Sequence, residues 1–169
     1  MARSFTDRMI GAATLDVATF EEVEKDRAAT LQAAGVVALV TAAQAGTALG
    51  AGPIGMATAA GSQLLGVALW CGITFLIGTR FFGGTATVGE VFRAVGFAFS
   101  PQILILLALL PLLGDFVGAV LSPVLTLWVL VAVVVGVRQS LDVSTIRAVF
   151  ASILGAVAYL LLVILVPGL

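Results

Sequence analysis

Few residues in this chain could carry out chemistry. There is no histidine, the one cysteine (Cys71) lies within an apolar run, and the charged side chains lie outside or at the ends of the long apolar segments. Hydrolysis or proton transfer at membrane depth requires a constellation of titratable or nucleophilic groups there. We therefore predict that the protein is not an enzyme and has no catalytic residues, no cofactor and no metal site.

Five charged residues in two loops are the best candidates for a recognition surface: Glu90, Arg93, Arg138, Asp142 and Arg147. Such charges can bind a partner, or they can simply pair with each other or with lipid headgroups, and both interpretations stay open. Exposed ion pairs contribute on the order of 1 kcal/mol or less. Alanine at Glu90, Arg93 and Asp142 is therefore expected to leave the stability nearly unchanged.

The composition places these residues in a membrane protein. Of 169 residues, 61% are apolar and only 10% are charged, far from the balance of a soluble domain. The formal net charge of −1 provides no basic surface for phosphates, so nucleic acid is not an expected partner. The expected partners are the lipid bilayer and other membrane proteins or further copies of this chain.

The apolar segments predict an all-α, polytopic integral membrane protein, a five-transmembrane-helix bundle. An N-terminal cytoplasmic or interfacial arm (residues 1–29) precedes a membrane domain (residues 30–169) with spans at about residues 31–49, 61–78, 96–113, 116–137 and 149–166. Residues 50–60 are uncharged and rich in glycine, which predicts a turn. The arm either places an amphipathic helix on the membrane surface or is a plain polar leader. Thr19 and Glu22 have the spacing of a capping box, which predicts a helix start at Thr19.

Further signals lie near the second and fourth loops. Thr87 and Glu90 have capping-box spacing and predict a short interfacial helix. Pro101 is expected to kink this helix where it enters the membrane, and Asp142 is expected to cap the last helix. Ala151 is four residues before Gly155, a spacing of small residues that favours close helix packing.

The basic residues orient the predicted spans. All eight lie in the arm or in the two loops on the same side: Arg3, Arg8, Lys25, Arg27, Arg80, Arg93, Arg138 and Arg147. By the positive-inside rule the N-terminus is cytoplasmic and the C-terminus is outside.

A weak internal repeat relates two parts of the membrane domain. Trp70, Gly78 and Arg80 recur at the same spacing as Trp128, Gly136 and Arg138. A parallel repeat of helices two and three in helices four and five explains the pattern; the alternative is chance recurrence in an apolar chain. Both tryptophans lie about 15 Å along the helix from their arginine, so both rings are expected to face other helices.

Three stretches resemble the Yip family of small multi-spanning membrane proteins, the Ypt/Rab-interacting proteins and their prokaryotic relatives. They are the leader LDVATFEEVEKD, the segment from Gly96 and Phe97 to Pro101, and LWVLVAVVVGVRQSLDVSTIRAV with its Trp and Gly-x-Arg. The resemblance implies the membrane fold, a prokaryotic-type member in the inner (plasma) membrane, and a non-enzymatic role in membrane organisation or trafficking.

Two other functions stay open beside such a partner-binding scaffold. The chain could be an accessory subunit of a larger membrane complex, or a small oligomeric transporter or channel for a neutral solute. Five uncharged polar residues could line such a solute path, although residues of this kind more often hydrogen-bond between helices: Gln44, Gln63, Thr74, Thr126 and Tyr159.

Overall fold

The computed structural model describes residues 3–110 and 112–165, and within them the chain forms helices and turns without any strand. The helices are α1 (Phe5–Ala13), α2 (Val17–Lys25), α3 (Ala29–Thr47), α4 (Gly52–Arg80), α5 (Val88–Ala98), α6 (Gly114–Phe116), α7 (Ser122–Leu141) and α8 (Thr145–Leu165). A 3-10 segment, Ser100–Leu109, continues α5, and a π-helical turn, Val117–Leu121, joins α6 to α7. The predicted all-α class is confirmed.

Four of the described helical segments are long and apolar enough to cross a membrane. They are Ala29–Thr47, Leu49–Arg80, Val88–Leu109 and Gly114–Leu141. The last helix is also apolar, and its part Thr145–Leu161 forms a shorter segment of the same kind. Its expected final residue, Val166, lies outside the described residues. The count of five spans therefore stays a prediction.

The turn predicted at residues 50–60 is wrong, because α4 already begins at Gly52. Pro53 lies in the first turn of the helix, where a missing backbone N–H removes no helical hydrogen bond. Only the short 3-10 turn Leu49–Ala51 separates α3 from α4, and Gly52 provides the positive φ (73°) that ends it. The second span is thus longer than the sequence indicated.

Pro101 changes the helix type. Because proline has no N–H to donate, α5 ends at Ala98 and the chain continues as the 3-10 segment. A 3-10 helix rises about 2.0 Å per residue against 1.5 Å for an α-helix, so the segment covers membrane thickness with few residues. The third apolar segment begins at Val88, not at Gly96. The other proline expected to bracket this span, Pro111, lies outside the described residues.

The expected close packing of small residues in the last helix is confirmed. Among the described residues, the contact between α4 and α8 is more extensive than that between any other two helices. Thr74 Oγ1 donates to the Ala151 carbonyl at 3.5 Å. A Cβ added to Gly155 would lie 2.8 Å from the same hydroxyl, so the helices meet where Gly155 has no side chain.

The N-terminal arm forms two helices instead of one. Asp16 caps α2 by accepting from Ala18 N at 3.3 Å, and Thr19 donates its hydroxyl to the Asp16 carboxylate. The predicted start at Thr19 is therefore wrong, because an aspartate three residues earlier takes the capping position. Ser4 and Asp7 form a capping box that begins α1, a signal readable in the sequence.

The apolar side of the arm contacts the bundle. Phe20 and Val23 are fully buried, and Phe20 lies against Gly136 of α7. The Phe5 ring lies 6.5 Å from the Phe97 ring of α5. The hydrophobic stripe of the arm is thus used in packing against other helices of the same chain.

Arg8 holds the two arm helices together from the inside. Its side chain is 2% exposed, and its guanidinium lies 2.7 Å from both Glu22 Oε1 and Asp26 Oδ2 and 2.8 Å from Gln32 Oε1 of α3. The hydrogen bonds from Arg8 hold the pKa values of the Glu22 and Asp26 carboxyls below their usual range. A buried arginine needs this degree of pairing to offset its desolvation.

The packing of α4 against α8 can be tested by substituting two glycines of α4. A Cβ on Gly66 would clash with the ring of Tyr159, whereas Gly72 faces open space. We expect Gly66→Ala to destabilise the protein by about 1–3 kcal/mol because the core is overpacked. Gly72→Ala should be neutral or slightly stabilising, since alanine favours helix by up to about 1 kcal/mol. Thermal unfolding of the two variants in detergent measures this, and equal melting temperatures would contradict the described contact.

Candidate interaction face

One end of the bundle gathers most of the predicted charged residues. The loop between α4 and α5 contacts the turn between α7 and α8: Thr85 N donates to the Leu141 carbonyl at 3.4 Å, and Arg147 Nη1 donates to the Phe82 carbonyl at 3.1 Å. We call this region the charged end; it comprises residues 80–90 and residues 138–147.

Two acidic candidates have defined backbone roles. Glu90 and Thr87 form the predicted capping box: the Glu90 carboxylate accepts from Thr87 N at 2.7 Å and Thr87 Oγ1 accepts from Glu90 N at 3.3 Å. Asp142 is exposed and caps the C-terminus of α7 in the left-handed conformation, φ 52°. The expectation that Asp142 caps the last helix is wrong. Asp142 instead adopts the left-handed conformation at the end of α7, which aspartate tolerates.

Arg93 is buried at the edge of the charged end. Its side chain is 5% exposed. Its Nε donates to the Val23 carbonyl at 2.8 Å, its Nη2 to the Glu24 carbonyl, and its Nη1 to Thr30 Oγ1 at 3.2 Å. These carbonyls belong to the last turn of α2, where a helix has unpaired acceptors and a partial negative charge. Removing Arg93 would therefore cost stability, contrary to the sequence-based expectation for alanine at this position.

The remaining basic residues of the charged end are exposed: Arg80, Arg138 and Arg147. Within the described residues, every ion pair joins side chains of the arm, and none involves the charged end of the membrane helices. The structure thus does not support the interpretation that these loop charges pair with each other. Lipid headgroups and a partner protein remain the two candidate counterparts of these exposed charges.

Glu24 is a residue that the sequence analysis did not select. One carboxylate oxygen is buried and has no hydrogen-bond partner in the described part of the chain. The pKa of Glu24 is raised to about 7, mainly by burial; Lys25 opposes the rise and the nearby Asp142 contributes to it. The signal was available, because Glu24 follows the buried Phe20 by four residues and so lies on the same side of α2.

The glycines of the suspected repeat allow close contacts, but with different partners. A Cβ on Gly78 would lie 2.8 Å from Leu141 Cδ2, and one on Gly136 would lie 2.9 Å from the Phe20 ring. A Cβ on Gly96 would lie 3.0 Å from the Ala33 Cβ of α3. Each position needs a residue without a side chain, although the two copies of the motif contact different helices. The repeat itself stays a prediction.

The two tryptophans of the repeat also differ. Trp70 is 4% exposed and packs against the rings of Phe99 and Tyr159, as predicted. Trp128 is 37% exposed, and its Nε1 donates to the Ala13 carbonyl at the end of α1 at 2.7 Å. The expectation of a protein-facing ring is therefore confirmed for Trp70 and only in part for Trp128.

The long apolar helices, their small-residue contacts and the charges collected at one end define an integral membrane protein of the helical-bundle class. A family model described as the Yip1 domain matches residues 16–166. The chain belongs to the Yip1 domain family, which confirms the resemblance found in its sequence. Comparisons with curated proteins and with solved structures found no match.

The raised pKa of Glu24 predicts how stability depends on pH. Because the folded state binds this proton more tightly than the unfolded state, whose glutamate pKa is about 4.3, stability should fall as pH rises from about 5 to 7. Glu24→Gln should remove this loss and stabilise the protein at pH 8 by up to roughly 3 kcal/mol. Thermal unfolding between pH 5 and pH 8 measures the effect.

The matched control is Glu21→Gln, which removes an exposed carboxylate of the same helix. It should leave the pH dependence of the parent in place. A parent protein whose stability does not fall across this window, or a Glu24→Gln variant that keeps the fall, would contradict the burial of Glu24.

Proposed function

We propose that this protein is a non-enzymatic, five-span membrane scaffold that binds a partner protein at the charged end. Membership of the Yip1 domain family supports a membrane protein of this general type. The single observation that carries the partner site is that the side chains of the charged end form no ion pairs with one another in the described residues. Charges without an ion-pair partner there are available to a complementary surface.

The accessible part of the site consists of four of the five predicted residues. Arg138, Asp142 and Arg147 are exposed, and Glu90 is partly exposed. Arg93 contributes indirectly, because its hydrogen bonds hold the end of α2 beside the loops. Two acidic and two basic side chains on a small surface favour a partner with an alternating charge pattern, since like charges in apposition would be costly.

The partner site can be tested with a variant that removes charge but keeps the helix caps at positions 90 and 142. Glutamine at position 90 preserves a capping box, and asparagine at position 142 tolerates the left-handed geometry. The variant therefore combines Glu90→Gln, Arg138→Gln, Asp142→Asn and Arg147→Gln, and its net charge equals that of the parent. We expect proteins that co-purify with the parent from native membranes in mild detergent to be recovered at least about fivefold less with this variant, on the basis of about 1 kcal/mol or more for the lost contacts.

The control removes two exposed charges of the arm, Glu21→Gln with Arg27→Gln, and should co-purify the same proteins as the parent. Recovery of an unchanged set of proteins with the four-residue variant would refute the partner site. If the variant instead loses only bound anionic lipid, measured by mass spectrometry of the purified protein, the charged end binds headgroups and not a protein.

The proposed orientation places the charged end in the cytoplasm. It rests on the basic residues, all of which lie in the arm or on that side of the bundle. In a Cys71→Ala background, cysteines at the exposed positions Thr85 and Ser144 should react with an impermeant maleimide only from the cytoplasmic side. A cysteine at the exposed Gly50 should react only from outside, and cytoplasmic labelling there would overturn the five-span topology.

A further inference from the structure

The N-terminal arm is held together by ion pairs of its own. Arg3 Nη1 lies 2.5 Å from Asp16 Oδ2. Arg8 reaches from α1 to Glu22 of α2 and to Asp26 directly after α2, each at 2.7 Å. These contacts join α1 to α2 without any residue of the membrane helices, so the two arm helices form one unit.

A short connection and polar contacts at three places attach this unit to the bundle in the described residues. The connection is residues 26–28, of which Arg27 and Ala28 are exposed. The polar contacts are those of Arg93 with the Val23 and Glu24 carbonyls, of Arg8 with Gln32, and of Trp128 with the Ala13 carbonyl. The contact with Arg93 lies beside the connection, which makes residues 26–28 the hinge about which the arm can turn away from α5.

Glu24 belongs to the contact with Arg93 and adds a buried carboxyl group to it. Its backbone carbonyl accepts from Arg93, its side chain is only 13% exposed, and Oε2 is buried without a hydrogen-bond partner in the described residues. Lys25 Nζ lies 3.9 Å from the other carboxylate oxygen, and the lysine side chain is 72% exposed. Water screens such an exposed charge, so it offsets little of the cost of burying a carboxylate.

The other charges near Glu24 make its ionised form less favourable still. The helices packed against α2 are α1, α5 and α7. The charged groups at the end of α2 are Arg8 of α1, Glu21 and Lys25 of α2, Glu90 and Arg93 of α5, and Asp142 of α7. Arg8 donates to Glu22 and Asp26, and Arg93 donates to backbone carbonyls and a hydroxyl. An ionised Glu24 thus meets three carboxylates, with only the exposed Lys25 to oppose them.

The protonation of Glu24 is therefore coupled to the docking of the arm. The pKa of Glu24 is about 7 with the arm docked, against about 4.3 for a glutamate in water. The docked arm binds this proton more tightly than an arm released into water. Docking is accordingly strongest below about pH 4 and weakens as the pH rises through 7.

We propose that the arm is a pH-sensitive cover of the bundle, which opens about residues 26–28 more readily when Glu24 is ionised. Opening uncovers the surface of α5 and α7 beside Gly136 that Phe20 occupies in the docked arm. The membrane helices stay folded in this opening, which distinguishes it from the unfolding of the whole protein. The opening concerns the arm alone and requires no partner at the charged end.

Hydrogen exchange of the full chain in neutral-lipid nanodiscs tests this opening at pH 5 and pH 8. Released α2, with 9 residues, is too short to stay helical by itself in water, so its amides report each opening. Protection factors remove the pH dependence of the exchange chemistry. We expect α2 to be at least about tenfold less protected than α4 and α8, and its protection to fall about 10- to 100-fold from pH 5 to pH 8. An α2 as protected as α4 and α8, or equally protected at both pH values, would overturn the proposal.

Two variants assign the pH dependence to one carboxyl group. Glu24→Gln should leave the protection of α2 nearly equal at pH 5 and pH 8, because glutamine does not ionise. Glu21→Gln removes the exposed carboxylate of the same helix and should keep the fall seen in the parent. A fall of parental size in Glu24→Gln refutes the role of Glu24. If that variant does not fold, the parent decides by the protection of α2 against that of α4 and α8 at the two pH values.

Discussion

The buried guanidinium of Arg93 connects three helices, and the arrangement of the charged end depends on it. From α5 it reaches two carbonyls at the end of α2 and a hydroxyl at the start of α3. The acceptors at a helix C-terminus have no partner within their own helix, and a buried arginine is tolerated only when its donors are used. This one side chain satisfies both requirements and fixes the polar arm against the membrane helices.

The apolar part of the molecule follows a different constraint. Because hydrocarbon offers no hydrogen bonds, the backbone stays helical even where proline interrupts it, as in the 3-10 segment after Ala98 and the π-helical turn before Ser122. Since hydrocarbon is as apolar as the side chains, close packing holds the helices together. At Gly66, Gly78, Gly136 and Gly155, side chains of other helices occupy the space that a Cβ would need.

The proposed partner site follows from this division between polar and apolar parts. At the charged end, exposed side chains of both signs form no ion pairs within the described residues, a situation suited to recognition in water. Inside the membrane domain the polar groups are neutral, and buried atoms of Gln63, Trp70 and Gln102 have no hydrogen-bond partner in the described residues. A charge could not be accommodated there without a counter-ion.

The sequence by itself determined the helical membrane class, the family, the capping box at Thr87 and Glu90, and the small-residue contact at Ala151 and Gly155, because these depend on composition and local spacing. Only the tertiary structure decided that Arg93 is buried while Arg147 is exposed. It likewise decided that Glu24 is desolvated and that Trp70 and Gln102 share a cavity. The physical reason is that burial and pairing depend on residues distant along the chain, here joined by the packing of the arm onto α5 and α7 and of α8 onto α4.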